Sequence, residues 1–127
     1  MSPKPNKSVA NFLKSFGYAF KGLSLMFVKQ RNFYVHIVAM LIALTAAFYF
    51  PLLSSERAII ILVIAIVLAA EIFNTSIEKL TDIVQPEFDE KAGQVKDIAA
   101  AAVLVLAIAS VVIAIVIFIP YITNVFS

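Results

Sequence analysis

The stretch AIIILVIAIVLAAEIFNTSIEKL, residues 58–80, opens with an apolar run free of Asp, Glu, Lys and Arg and then meets two glutamates with no glycine or proline between them. A run this long, without turn residues, is helical rather than extended, and about 20 residues suffice to cross a bilayer. Working outward, residues 32–55 and 98–127 also lack Asp, Glu, Lys and Arg. The chain is 62% hydrophobic and 14% charged, against roughly 45–50% and about 25% in ordinary soluble domains. That excludes a soluble globular domain and a disordered chain, and the absence of cysteine excludes a disulfide scaffold. A length of 127 residues holds about three crossings and little else. The expectation is an all-α membrane protein with a single membrane domain over 1–127, an amphipathic surface helix over 8–29, and transmembrane helices over 33–51, 57–80 and 98–120. Pro51 beside Phe48 and Tyr49, and Pro120 beside Tyr121, mark interfacial boundaries.

The basic residues set the orientation. Residues 1–31 hold Lys4, Lys7, Lys14, Lys21, Lys29 and Arg31 with no acid, and residues 79–97 hold Lys79, Lys91 and Lys96. The 51–57 connection has only Arg57, and no basic residue follows Asp97. By the positive-inside rule the N-terminus and the second connection face the cytoplasm, and the C-terminus faces out. Val9, Phe12, Phe16, Phe20, Leu23 and Phe27 recur every three or four residues while Lys7, Lys14 and Lys21 recur every seven. A helix with that pattern lies on the cytoplasmic leaflet, aromatic side down.

The chemistry concentrates at the end of the second span. Glu71, Asn74, Glu78 and Asp82 stand at i, i+3, i+7 and i+11, which places them within roughly an 80° arc of one helix face. A carboxylate within a membrane span costs about 2.5–3.5 kcal/mol even on lenient insertion scales, so such residues normally mark a site. For Asp82 an interfacial ion pair with Lys79 or Lys96 is an equally good account. It does not serve for Glu71, which lies about 10 Å deeper than Glu78. Carboxylates with an amide suit Mg²⁺, a hard cation held by oxygen ligands and substrate phosphates, and the deeper Glu71 suits a general base. With three glycines in all, the chain has no glycine-rich phosphate loop. His36, the only histidine, lies at the start of the first span. A structural hydrogen bond is its first reading and a site role its second.

Four stretches, FGYAFKGL (16–23), QRNFYVH (30–36), EIFNTSIEKLTD (71–82) and KDIAAAAV (96–103), resemble in order and spacing the small prokaryotic diacylglycerol and undecaprenol kinases. The resemblance implies a homotrimer of three-span protomers in the bacterial inner membrane, with composite sites at the cytoplasmic face. It implies Mg²⁺-dependent transfer of the ATP γ-phosphoryl group to the primary hydroxyl of a lipid alcohol. On matching positions Glu71 would be the base, Glu78 and Gln30 the metal ligands, and Asn74 a positioning residue at the nucleotide. Asn11, Tyr18, Gln30, Glu78, Asp82, Glu87, Asp89, Lys96 and Asp97 would line the nucleotide site, and Lys14 and Lys21 would face its phosphates. Gln30 departs from the family, whose best-known members carry glutamate there, and Asn11 falls where some relatives have arginine. The QRNFYVH stretch is closer to the undecaprenol branch.

The competing reading is a small proton- or cation-coupled transporter using Glu71 as its proton site. Acids gathered at one leaflet argue against it, since a carrier places its site near the midplane. A non-catalytic scaffold would leave the buried acids without purpose. Membrane lipids and ATP are the expected partners, and nucleic acid is not.

Overall fold

The computed structural model describes residues 7–29 and 31–125. They form α1 (Lys7–Lys29), α2 (Arg31–Tyr49), α3 (Ser54–Val84) and α4 (Glu90–Val125), with no strand among the described residues. The chain divides into two compact units, one reaching to Tyr34 and the other beginning at Val35.

In the first unit, α1 leaves Val9, Phe12, Phe16 and Phe20 exposed. Phe12 and Phe16, one turn apart, meet edge to face at 5.2 Å. At the far end of α1, Phe27 meets Phe33 edge to face at 5.1 Å, and the Tyr34 hydroxyl donates to the Phe27 carbonyl at 2.6 Å.

In the second unit α3 packs chiefly along α4. The buried core lies at one end, where Ala47 of α2, Leu52, Ile60 of α3 and Ile117 of α4 meet, flanked by Phe50, Phe118 and Tyr121. Small Ala47, fully buried, lets the helices approach closely there. The same end is tied by polar contacts. Glu56 sits in the first turn of α3 and its Oε2 accepts the Leu53 N–H at 2.9 Å, satisfying an orphan donor at the helix start. That oxygen also accepts the Tyr121 hydroxyl of α4 at 2.5 Å. Arg57 donates through Nε to the Ala47 carbonyl at 3.1 Å, and its guanidinium lies 5.3 Å from the Phe48 ring centroid, a cation–π arrangement.

Helix ends differ from the expected span ends for physical reasons. α3 starts at Ser54 and ends at Val84, before Pro86, which disfavours helical geometry at the residue preceding it. α4 begins at Glu90, well ahead of residue 98, because Asp89 Oδ1 caps it by accepting the Ala92 N–H at 2.9 Å. α4 also runs through Pro120 to Val125. Proline there forfeits one backbone hydrogen bond, and Thr123 Oγ1 donates to the Ile119 and Pro120 carbonyls, both at 3.1 Å. α3 and α4, with 31 and 36 residues, are about 46 and 54 Å long at about 1.5 Å per residue. Both are long and apolar enough to cross a membrane, whereas the apolar part of α2, Phe33–Tyr49, is shorter. Ile61, Leu62, Leu104, Val105, Ile108 and Val112 on α3 and α4 are exposed, the outward apolar surface of a membrane protein.

Candidate active site

Glu71 is 8% exposed, deep on α3, and the carboxylate is met from α2: His36 Nε2 lies 3.0 Å from Glu71 Oε1. One turn further along α3, Asn74 Nδ2 donates to Glu78 Oε1 at 3.0 Å. The other end of that amide, Asn74 Oδ1, is buried without a hydrogen-bond partner. Buried carbonyl oxygens are nearly always paired, so an orphan of this kind calls for a ligand. Thr75 beside it is buried as well. The α3 register therefore stacks a buried carboxylate, an unpaired amide oxygen and a half-exposed carboxylate along one face.

Asp82 pairs with Lys96 of α4 across the connection between the two helices. This pair is largely exposed and worth little as a stabiliser, but it fixes where the amine and the carboxylate stand. The interfacial reading of Asp82 thus has its partner, and the partner is Lys96 rather than Lys79. Glu87, Asp89 and Asp97 are exposed. Asp89 is engaged in capping α4.

Asn11, Lys14, Tyr18 and Lys21 lie along α1, in the other unit, and are exposed. Gln30 lies outside the described residues. Among the described residues no three of His, Asp and Glu gather closely enough to hold a metal ion by themselves. Glu78 and the unpaired Asn74 Oδ1, one turn apart on α3, are both hard oxygens, the donor type that suits Mg²⁺, which is commonly held by one or two carboxylates with substrate phosphates completing the shell.

The residue whose place sequence reasoning did not find is His36. Its partner Glu71 is 35 positions away on another helix, and periodicity orders residues on one helix without setting the register of two. The available signal was a lone imidazole at a span end facing an otherwise uncompensated buried acid.

Residues 17–118 match the prokaryotic diacylglycerol kinase family. The chain is 38% identical over 104 residues to a diacylglycerol kinase of Synechocystis sp., covering 81% of this chain and 59% of that protein. It thus spans less than two thirds of the length of that relative. It is 32% identical over 100 residues to the diacylglycerol kinase of Escherichia coli, covering 79% of this chain and 82% of that one. Similarity to the undecaprenol kinase of Bacillus subtilis runs over 121 residues at 35% identity, covering 94% of this chain and 98% of the relative. These matches show that the chain belongs to the prokaryotic diacylglycerol kinase family and is a lipid kinase.

Proposed function

We propose that the protein transfers the γ-phosphoryl group of ATP to the primary hydroxyl of undecaprenol, with diacylglycerol as the poorer acceptor. The observation that carries the chemistry is the buried Glu71 on the same α3 face as Glu78 and the Asn74 amide that donates to it. Glu71 takes the hydroxyl proton as the lipid oxygen bonds to the γ-phosphorus; the bond from that phosphorus to the β–γ bridging oxygen breaks and ADP leaves. Glu78 and Gln30, with Asn74 Oδ1 as a further oxygen, would hold Mg²⁺, which would supply charge neutralisation on the phosphates. Asn74 orients Glu78 through its amide N–H. Lys96, steered by Asp82, places an ammonium at the nucleotide, with Asp97, Glu87 and Asp89 around it. Asn11 and Tyr18 contact the nucleotide, and Lys14 and Lys21 face its phosphates.

In this reading the chain is a single membrane domain. It has three spans, over 33–51, 57–80 and 98–120, and α1 lies on the cytoplasmic leaflet with its exposed phenylalanines in lipid. The working unit is a homotrimer with cytoplasmic N-termini and external C-termini in the bacterial inner membrane. The end-to-end match to the Bacillus subtilis undecaprenol kinase supports the acceptor. Nothing observed favours a transporter.

The test is a parallel assay of purified protein in liposomes with ATP and Mg²⁺. The expected kcat/KM for undecaprenol exceeds that for diacylglycerol by at least about tenfold, a difference of roughly 1.4 kcal/mol in transition-state binding. The reverse ratio would reassign the acceptor, and solute uptake without ATP consumption would replace the kinase by the carrier.

A further inference from the structure

We infer that His36 is a positioning residue for phosphoryl transfer: its Nε2–H holds Oε1 of Glu71 and leaves Oε2 to receive the proton of the lipid hydroxyl. The inference rests on the reading of Glu71 as the base.

Three observations carry it. The contact is close, 3.0 Å between Nε2 and Oε1, with side-chain exposures of 23% for His36 and 10% for Glu71. It joins two helices, so the carboxylate is held from outside its own helix. A carboxylate has free rotation about its last bond, and a donor on one oxygen removes most of that freedom. Third, His36 lines an apolar cavity of about 260 Å³ that runs between α2, α3 and α4 past Ala39, Ala43, Val67 and Ser110. On α3 the cavity reaches Leu68, one turn short of Glu71. The imidazole thus stands between the carboxylate and an apolar space. A polar contact in such surroundings is stronger than one in water, and its loss would leave a buried carboxylate with one fewer partner.

A merely structural pin between α2 and α3 would account for the same distance, and the two roles differ in what they make the enzyme do. A pin serves stability whatever group stands at 71. A positioning residue acts on turnover through the carboxylate and on nothing else. His36 is the only histidine in the chain, so its imidazole can be watched alone by isotope labelling.

The experiment has a kinetic arm and a spectroscopic arm, both on the full chain in lipid. His36→Leu keeps apolar bulk and removes the donor; His36→Gln carries an amide N–H to about the place of Nε2. The expected result is a kcat ten- to a hundredfold lower in His36→Leu with KM for ATP unchanged, and recovery to within about threefold of wild type in His36→Gln. In a Glu71→Gln background, His36→Leu lowers the residual rate no further. With ¹⁵N-labelled histidine, the Nε2–H proton resonance lies downfield in the wild type and moves on Glu71→Gln. Equal kcat in the Leu and Gln variants, an additive loss in the Glu71→Gln background, or an imidazole signal indifferent to Glu71→Gln would each overturn the inference. The spectroscopic arm needs only the wild type and Glu71→Gln, so it can overturn the inference even if His36 variants fold poorly. Failure of the base assignment itself shows separately, as full activity of Glu71→Gln with His36 intact.

Discussion

Glu71→Gln is expected to lower lipid phosphorylation by about 10²–10⁴ while leaving the helices assembled, because loss of a general base alone has that effect. The substitution is close to isosteric, and a glutamine carbonyl at 71 can still face the His36 Nε2 that lies 3.0 Å from Oε1, so the α2–α3 contact is expected to survive. What disappears is an oxygen basic enough to receive the hydroxyl proton. The measurement is the initial rate of phosphate transfer from ATP to undecaprenol in liposomes, beside nucleotide binding by the same preparation. Binding is expected within a few-fold of wild type, since Glu71 is buried away from the exposed Glu87, Asp89 and Asp97. A variant that still phosphorylates lipid at near the wild-type rate would return Glu71 to a structural role.

The second large effect is expected at Glu78. Replacing its carboxylate by an amide in Glu78→Gln removes a negative charge from the proposed Mg²⁺ site beside the orphaned Asn74 Oδ1. The Mg²⁺ concentration for half-maximal rate should rise by about tenfold or more, with partial recovery of kcat at saturating Mg²⁺, because affinity for a hard cation follows ligand charge. Gln30→Glu, which adds a charge, should shift the same titration the other way. Superimposable Mg²⁺ titrations for the wild type and both variants would remove Glu78 and Gln30 from the metal.

Much of the helical architecture was legible because lipid and helix impose simple rules. The apolar run at 58–70 and the acids at 71, 74, 78 and 82 share one uninterrupted helix, Ser54–Val84, as spacing requires. Span limits read from charge gaps were less informative about helix limits: α4 begins at Glu90 because Asp89 caps it, not because lipid begins there, and Pro120 bends no stop into it. At the candidate site the α3 face followed from sequence spacing alone. The cross-helix partners, His36 for Glu71 and Lys96 for Asp82, depend on how helices rotate against each other. For the exposed pair, opposite charges flanking one short connection were hint enough; for the buried one the lone imidazole and the uncompensated acid did not suffice to join them, since 35 residues and a helix turnaround intervene.

The buried apolar cluster of the second unit is unevenly placed along its helices. Ala47, Leu52, Ile60 and Ile117 close one end, reinforced by a single carboxylate, Glu56, that both starts α3 and grips Tyr121 of α4. At the opposite end α3 and α4 are joined by the short 85–89 connection and the surface pair of Asp82 and Lys96, and residues 82–90 are exposed throughout. With no buried apolar cluster among its described residues to hold it, that connected end is where local opening costs least, close to Glu78 and Asp82, where a nucleotide would enter and leave. Amide hydrogen exchange, which ranks segments by the free energy of local opening, should be slowest at residues 56–64 and 113–121 and faster at 80–95. Equal protection at both ends would mean that the connected end is as rigid as the core end, and that nucleotide exchange proceeds without local opening there.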